Sequence, residues 1–332
     1  MNRFGRELRI EIFGESHGPA VGITVDGCPA GLPLGPRDMI SDLERRLPNT
    51  PGTTKRREDS PPRILSGVFK GRTTGTPLTI ILENKDTRSR DYISLKNLPR
   101  PGHADFTARR KFGGHHDFRG GGHFSGRLTA GLVAAGVIAK KLIFPVEVKA
   151  QLLEAGGRKD IDAAVDEAVR EKDSVGGLVE CRTTPLPVGW GEPFFDSVES
   201  LISHLMFSVP GIRGIEFGSG FESARMRGRD ANDPLISADG ATASNHSGGV
   251  SGGISNGNPL VFRVAVKPTS SIGREQDTID LNTGKPARLT IEGRHDACIA
   301  LRVPVIAEAA AALVLADLGR AAGSIPRVLP AD

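Results

Sequence analysis

Aromatic residues are scarce in this 332-residue chain: one Trp, one Tyr and 14 Phe make up 5% of it. Stacking recognition of single-stranded nucleic acid needs such rings, so that class of function has little to stand on. Cysteine is rarer still. Cys28, Cys181 and Cys298 are odd in number, far apart and without a C-x-x-C pair, which argues against a disulfide framework or a zinc site. No run approaches the roughly 18 apolar residues of a membrane span. Met1 leads into Arg3, Arg6 and Arg9 without the apolar stretch of a secretory leader, so a cytoplasmic protein is expected. A strong bias of charge is also missing: 43 basic against 39 acidic residues leave a net +4, with a pI of 9.1. The basic residues form no single arm, so a small anionic substrate suits them at least as well as nucleic acid.

Glycine is what the chain has in abundance, 42 residues, against a hydrophobic fraction of 38% that fits a soluble globular protein. Strands are predicted at Arg9–Phe13 and Val21–Val25, with the turn Gly14-Glu-Ser-His-Gly18 between them. Met39, Ile40, Leu43 and Leu47 share one face of a helix over Pro36–Leu47. Residues 48–62 read as a loop, Arg63–Phe69 and Pro77–Glu83 as strands, and 84–125 as a long polar loop of the kind that carries function. Leu128–Phe144 is small and apolar nearly all round, the mark of a buried helix. Amphipathic helices are predicted at Asp160–Lys172 and Phe194–Phe207, strands at Gly177–Arg182, Gly214–Gly218 and Pro259–Val266, and a last apolar helix at Val305–Leu318.

One stretch is echoed. Ser66–Leu78 aligns without gaps to Gly248–Leu260, with Gly67, Val68, Gly71, Gly75, Pro77 and Leu78 recurring and a strand following each copy. Each copy then leads to an Arg-containing turn that opens an Ala-rich helix. Two similar β-rich halves in one domain, 1–332, follow from this; chance agreement among turn residues is the alternative.

Five stretches can carry chemistry, and each can also be an ordinary polar turn. His17, flanked by glycines, has an imidazole suited to acid–base work, or it is a solvated surface residue. In Arg100-Pro-Gly-His-Ala-Asp105 the carboxylate can orient His103 and Arg100 can hold an anion. Gly120-Gly-Gly-His-Phe-Ser-Gly-Arg127 opens the Ala-rich helix, where free amides and the dipole favour phosphate; Ser125 or Thr129 can cap or bind, and Arg127 adds a charged fork. Lys267-Pro-Thr-Ser-Ser-Ile272 offers three hydroxyls beside an ammonium, either a phosphate cradle or a strand end. Arg294, His295 and Asp296 precede the last helix as a charged cluster that packing does not require.

Other readings lack support. His115, His116 and His123 have neither the helical carboxylate spacing nor a Cys partner of a metal site. Gly218-Ser-Gly-Phe-Glu-Ser223 lacks the third glycine of a dinucleotide fingerprint. Arg45-Arg46 and Lys55-Arg56-Arg57 face an anionic small molecule more readily than a nucleic acid.

In this order the stretches make the chain resemble the chorismate synthase family, from about Phe4 to Leu318. The family's three signatures match Gly14–Gly18 with Val21-Gly22, Gly120–Ala139 in part, and Gly293–Ala309. Arg100–Asp105, Asn245–Gly257 and Lys267–Ser271 agree between them. In the second signature His123 and Leu128 stand where the family has Arg and Glu. Leu47 replaces an arginine, an Arg is missing near Pro51-Gly52 with Lys55 or Arg56 close by, and Ala297 replaces Pro.

The resemblance implies an α/β sandwich of antiparallel sheets held between helices, with an internal pseudo-twofold repeat, assembled as a homotetramer. It implies a lyase of the shikimate pathway that makes chorismate in the last common step toward aromatic amino acids. The reaction is a 1,4-elimination of phosphate from 5-enolpyruvylshikimate 3-phosphate, and it needs reduced FMN (FMNH2), regenerated with NAD(P)H by a separate reductase. Carried over by motif, His17 would protonate the leaving phosphate and His103 would serve protonation at the flavin. Asp296, Ser16 and Ser125 would support proton movement, and Arg46, Arg127 and Arg294 would hold the substrate. The flavin would lie on His123, Phe124, Ser125, Gly252, Lys267, Pro268, Thr269, Ser270, Ser271 and Arg294. No metal, nucleic acid or membrane is implied. A protein that kept the fold to bind RNA or anions without turnover is the alternative from another class.

Overall fold

Two antiparallel sheets are built to one plan. A computed structural model describes residues 2–47, 52–53, 61–85, 92, 94–291 and 296–330. Its first half runs through β1 (Arg3–Phe4), β2 (Arg9–Gly14), β3 (Ala20–Asp26), α1 (Ile40–Arg46), β4 (Arg63–Ser66), β5 (Val68–Phe69), β6 (Arg72–Thr73), β7 (Leu78–Glu83), α2 (Asp105–Lys111) and α3 (Thr129–Leu142). The second half opens with β8 (Val148–Ala155), α4 (Ile161–Arg170), β9 (Gly177–Pro185), α5 (Val198–Ser208), β10 (Ile212–Phe217) and α6 (Gly228–Ala231). It closes with β11 (Val250–Ser251), β12 (Ile254–Ser255), β13 (Pro259–Val266), β14 (Gln276–Ile279), β15 (Pro286–Leu289) and α7 (Val303–Ala321).

The first sheet has the order β1-β2-β3-β7-β4 and the second β10-β13-β9-β8. Leaving out the edge strand β1, β2-β3-β7-β4 corresponds to β8-β9-β13-β10, with every neighbouring pair antiparallel. The helices α1 and α5 occupy matching places, as do α3 and α7. The echoed sequence repeats in the backbone. Gly67, Gly71 and Gly75 have φ of 82°, 75° and 81°, and their counterparts Gly249, Gly253 and Gly257 have 86°, 87° and 93°. The turns Lys70-Gly71 and Gly252-Gly253 each hold two residues at positive φ, as a two-residue hairpin loop requires, with Lys70 at 49° and Gly252 at 62°. Chance agreement among turn residues does not produce matching dihedrals, so the repeat is structural.

The expected sandwich of antiparallel sheets and helices is present, but with the order of layers reversed: the helices lie between the sheets, so the layers run sheet, helices, sheet. Helices α3 and α7 fill the middle, which is why both are apolar on every side. They touch closely: a Cβ at Gly136 would overlap that of Ala309 and come within 2.6 Å of its Cα. On each sheet one face packs inward, as with Leu78, Ile80 and Leu82 of β7 and Val264 and Val266 of β13. Each such side chain contributes about 1.5–3 kcal/mol of burial. The span Ile299–Ala321 is long and apolar enough to cross a membrane, but 78% of its apolar window is buried inside the protein.

Two acids of α7 sit in that core, and both are paired. Asp317 accepts the backbone N–H groups of Arg6, Glu7 and Leu8 at 2.7–3.1 Å, which pins the N-terminal segment to the last helix. Glu308 accepts from Arg45 at 2.6 and 2.7 Å, from Lys140 at 2.7 Å and from the Ala150 amide at 3.0 Å, joining α1, α3, α7 and β8.

Several elements differ from expectation. Helix α2 lies inside what reads as a loop; only Ala108 of its seven residues is buried, so no apolar stripe announces it. Strand β8 and the hairpin β14–β15 also carry no clear alternation. The helix predicted from Phe194 starts at Val198 because Ser197 caps it, accepting from the Ser200 amide at 3.0 Å. Phe194–Asp196 form a separate 3-10 turn.

Candidate active site

A cavity of about 970 Å³ lies where the two halves meet. The first turns of α3 and α7 line it, together with the segment after β13 and the end of α5. Helix N-termini present unpaired amides and positive dipole ends, so this seam is made for anions.

The turn carrying His17 is fixed from several sides. The Gly18 amide donates to the Glu15 carbonyl at 3.1 Å, and the Ser16 amide donates to Gly122 at 3.1 Å. Ser16 is 1% exposed and lines the cavity. His17 is not itself a lining residue. Its ring stands edge-on to Tyr92, with centroids 5.1 Å apart, and lies over Gly120; both of those residues line the cavity. A Cβ at Gly120 would overlap the imidazole and fall 2.9 Å from Ser16 Oγ, so any side chain there would push the His17 ring aside.

His103 is reached from the other wall. Its Nδ1 lies 2.6 Å from Asp105 Oδ1. Arg100 grips the same carboxylate, with Nε 2.8 Å from Oδ2 and Nη2 2.8 Å from Oδ1, and its Nη1 donates to Ser271 at 3.0 Å. Arg100 is 6% exposed, lines the cavity and spends its guanidinium on Asp105 and Ser271, so it supports His103 at the cavity wall. Burial pushes the His103 imidazole below its ordinary pKa; Arg100 and Lys267 act in the same direction, and Asp105 opposes them. Nδ1 meets two groups with opposite demands, Asp105 Oδ1 at 2.6 Å and Arg100 Nη2 at 3.1 Å; the shorter contact, to a carboxylate that can only accept, places the neutral ring's proton on Nδ1 and leaves Nε2 open. A Cβ at Gly121 would lie 3.5 Å from that Nε2.

The arginine cluster assembles around the start of α3. Ser125 caps the turn by accepting from the Arg127 amide at 3.3 Å. Arg127, 5% exposed, donates through Nε to Asn84 Oδ1 at 3.0 Å and through Nη2 to the Glu83 carbonyl at 3.2 Å. Arg46 arrives from α1, 3% exposed, with Nε 2.9 Å from Thr129 Oγ1 and Nη2 2.8 Å from the Gly126 carbonyl. His123 bonds through Nδ1 to the Gly14 carbonyl at 2.9 Å and through Nε2 to the Asn2 side chain at 3.2 Å. Phe124 lines the cavity beside it.

Lys267, Pro268, Thr269, Ser270 and Ser271 line the opposite side. Lys267 Nζ donates to Ser270 Oγ at 2.7 Å and to the Gly102 carbonyl, and Ser270 also donates to Gly102 at 2.8 Å. Burial lowers the Lys267 pKa and the nearby Arg213 adds to it; neither cation makes an ion pair among the described residues. Thr269 Oγ1 is buried without a hydrogen-bond partner. Asp296 accepts from Arg302 Nη2 at 2.7 Å at the cavity wall.

Most of the sequence-predicted residues thus share one cavity. Gly252 does not line it; it is the open tip of the β11–β12 hairpin, with nothing within 4 Å of the position a Cβ would take. Arg294, and the Lys55 and Arg56 that follow the missing arginine in sequence, lie outside the described residues. Asn84, Tyr92, Arg213 and Arg302 were not singled out. Arg302 had a signal, its place one residue ahead of an apolar helix; Asn84 had none beyond following a strand.

A basic cavity lined by His103, His123 and His204, with His17 behind Gly120, on the seam of a duplicated α/β sandwich, marks an enzyme that acts on a small molecule. The chorismate synthase family model matches residues 8–319, and the chain belongs to that family. It is 59% identical over 318 residues to the chorismate synthase of Chitinophaga pinensis, covering 96% of each chain. It is 44% identical over 346 residues to that of Korarchaeum cryptofilum, covering 95% of this chain and 96% of the other. A crystal structure of chorismate synthase superposes with a TM-score of 0.73 at 26% identity, over 95% of this chain and 92% of that one.

Proposed function

We propose that this protein eliminates phosphate from 5-enolpyruvylshikimate 3-phosphate to give chorismate, as a carbon–oxygen lyase that needs reduced FMN. The observation that carries this reading is the single cavity faced by Ser16, His103, Arg46, Arg127 and the Lys267–Ser271 segment, with His17 just behind Gly120. Its volume stands at the upper end of the roughly 300–1,000 Å³ of ligand pockets, which suits a substrate and a cofactor together.

The residues fit a flavin phosphate. Lys267 and Arg213 repel each other without a carboxylate between them, and the buried Thr269 hydroxyl lacks a partner that an anionic oxygen would supply. His123, Phe124, Ser125 and Lys267–Ser271 would hold the cofactor, with Arg294. Gly252, away from this cavity, would reach a flavin only in a second copy, in keeping with a homotetramer. When bound, reduced FMN supplies the electron density that eases phosphate departure from a substrate whose departing hydrogen is not acidic.

The chain's own groups bind and move protons. Arg46, Arg127 and Arg294 neutralise the phosphate and carboxylates. His17 holds a proton for the leaving phosphate. His103 exchanges a proton at Nε2, the atom that Asp105 leaves open, and Asp296, Ser16 and Ser125 support transfer nearby. Reduced flavin would come from a separate NAD(P)H-dependent reductase in the cytoplasm.

Anaerobic incubation with chemically reduced FMN and enolpyruvylshikimate phosphate tests this. Chorismate absorbance and free phosphate should rise together. Absence of both above the protein-free control, with anion binding retained, would favour a fold kept for binding alone.

A further inference from the structure

The turn bearing His17 and the arginine at the start of α3 lie far apart in sequence, and one side chain joins them. Asn84 follows β7 directly. Its Nδ2 donates to the carbonyls of Glu15 at 3.0 Å and Gly18 at 2.9 Å, the two ends of the turn that holds Ser16 and His17. Its Oδ1 accepts Arg127 Nε at 3.0 Å, and its own amide donates to Pro19 at 3.0 Å. The carboxamide has only one workable orientation, because the two carbonyls can only accept and Nε can only donate. Both donors and the acceptor of one short side chain are spent on tying a proton-bearing turn to an anion-binding arginine.

We propose that Asn84 is a positioning residue for the reaction: it sets the spacing between the His17 turn and Arg127, so that imidazole and guanidinium address the same leaving phosphate. This rests on the function proposed above. A general packing role would not need all three bonds to end on those two elements. A shift of about 1 Å between reacting groups is enough to lower turnover by about 100-fold.

Two variants separate positioning from packing. Asn84→Ala removes every bond and should lower kcat by at least about 10-fold with a smaller change in KM. Asn84→Asp keeps the shape and the acceptor for Arg127, but sets a carboxylate against two carbonyls and neutralises the guanidinium. It should raise KM for enolpyruvylshikimate phosphate by about 10-fold or more, and weaken inorganic phosphate binding in a titration that needs no turnover. Hydrogen exchange of a peptide spanning residues 14–20 should accelerate in both. Equal kinetic losses in the two variants, tracking a common fall in melting temperature, would reduce Asn84 to packing. Unchanged exchange in both would overturn the proposal even if the wild-type protein proved to have another activity. An inactive wild type whose variants still show the exchange and phosphate effects would leave the tie standing and remove the reaction assigned to it.

Discussion

His103 Nδ1 stands 2.6 Å from Asp105 Oδ1, and Arg100 clamps that carboxylate with Nε and Nη2, the latter also 3.1 Å from Nδ1. The pair fixes the imidazole tautomer with no substrate present. Asp105→Asn preserves the shape but allows the amide to donate to Nδ1, turning the proton to Nε2. Turnover should fall by about 100-fold with KM little changed, read from steady-state kinetics under anaerobic conditions. Loss confined to KM would contradict the assignment.

The same carboxylate should show in acid. Burial alone would raise the Asp105 pKa, but hydrogen bonds from Arg100 and His103 and their charges more than reverse this and hold it well below the usual range. A depressed folded-state pKa contributes stability that is complete above the unfolded value of about 3.9 and is lost as pH falls toward the folded one. Urea midpoints measured downward from about pH 4 should therefore drop more steeply for the wild type than for Asp105→Asn. Parallel slopes would mean that the carboxylate is not so held.

Gly120→Ala should strike the chemistry harder than the fold. Its φ of 58° costs an L-residue about 1–2 kcal/mol, while the added methyl displaces the His17 ring. Turnover at least about 10-fold lower, in a protein whose melting curve shifts by only a few degrees, is the expected outcome. Wild-type activity would place the imidazole elsewhere.

Thr269→Val tests the orphaned hydroxyl. The free protein should keep its stability or gain slightly, since a buried donor without a partner is removed. Flavin affinity, followed by fluorescence quenching, should weaken by about 10-fold, the worth of roughly one charge-assisted hydrogen bond. Unchanged affinity would take the cofactor phosphate away from this segment.

Glu308→Gln addresses cohesion alone. Breaking a fully buried pair costs about 3–5 kcal/mol. Arg45 is 43% exposed, which reduces the expected loss to about 2 kcal/mol by denaturant midpoint. A loss below half of that would mark the cluster as neutral.

The glycine-marked turns were legible because positive φ restricts residue type so strongly: Gly67, Gly71 and Gly75 recur in sequence as Gly249, Gly253 and Gly257. The buried helices were equally plain, since a segment such as Ala130–Ala139 has no polar face to show solvent. Helix α2 was not legible, because Asp105–Lys111 is ordered by the Arg100–Asp105 pairing and not by an apolar stripe. Of the site, the histidines and Arg127 could be named from motif, whereas Asn84 and Tyr92 act through contacts that only folding creates. Arg100 shows the limit from the other side. Its charge suggested an anion, and nothing in the sequence signalled its tie to Ser271, which only the fold brings near.

Helices α3 and α7 do two jobs with one contact. Their N-terminal ends floor the cavity, and their midpoints meet at Gly136 and Ala309 with no spare room for a methyl group. The helix pair thus works like a caliper, with the jaws at Arg127 and Arg302 and the pivot in the core. A sideways slip of one helix against the other would change the gap between those guanidinium groups even with both sheets intact. Loss of catalytic geometry should therefore be an early sign of heating, and the pivot a remote place from which to tune it.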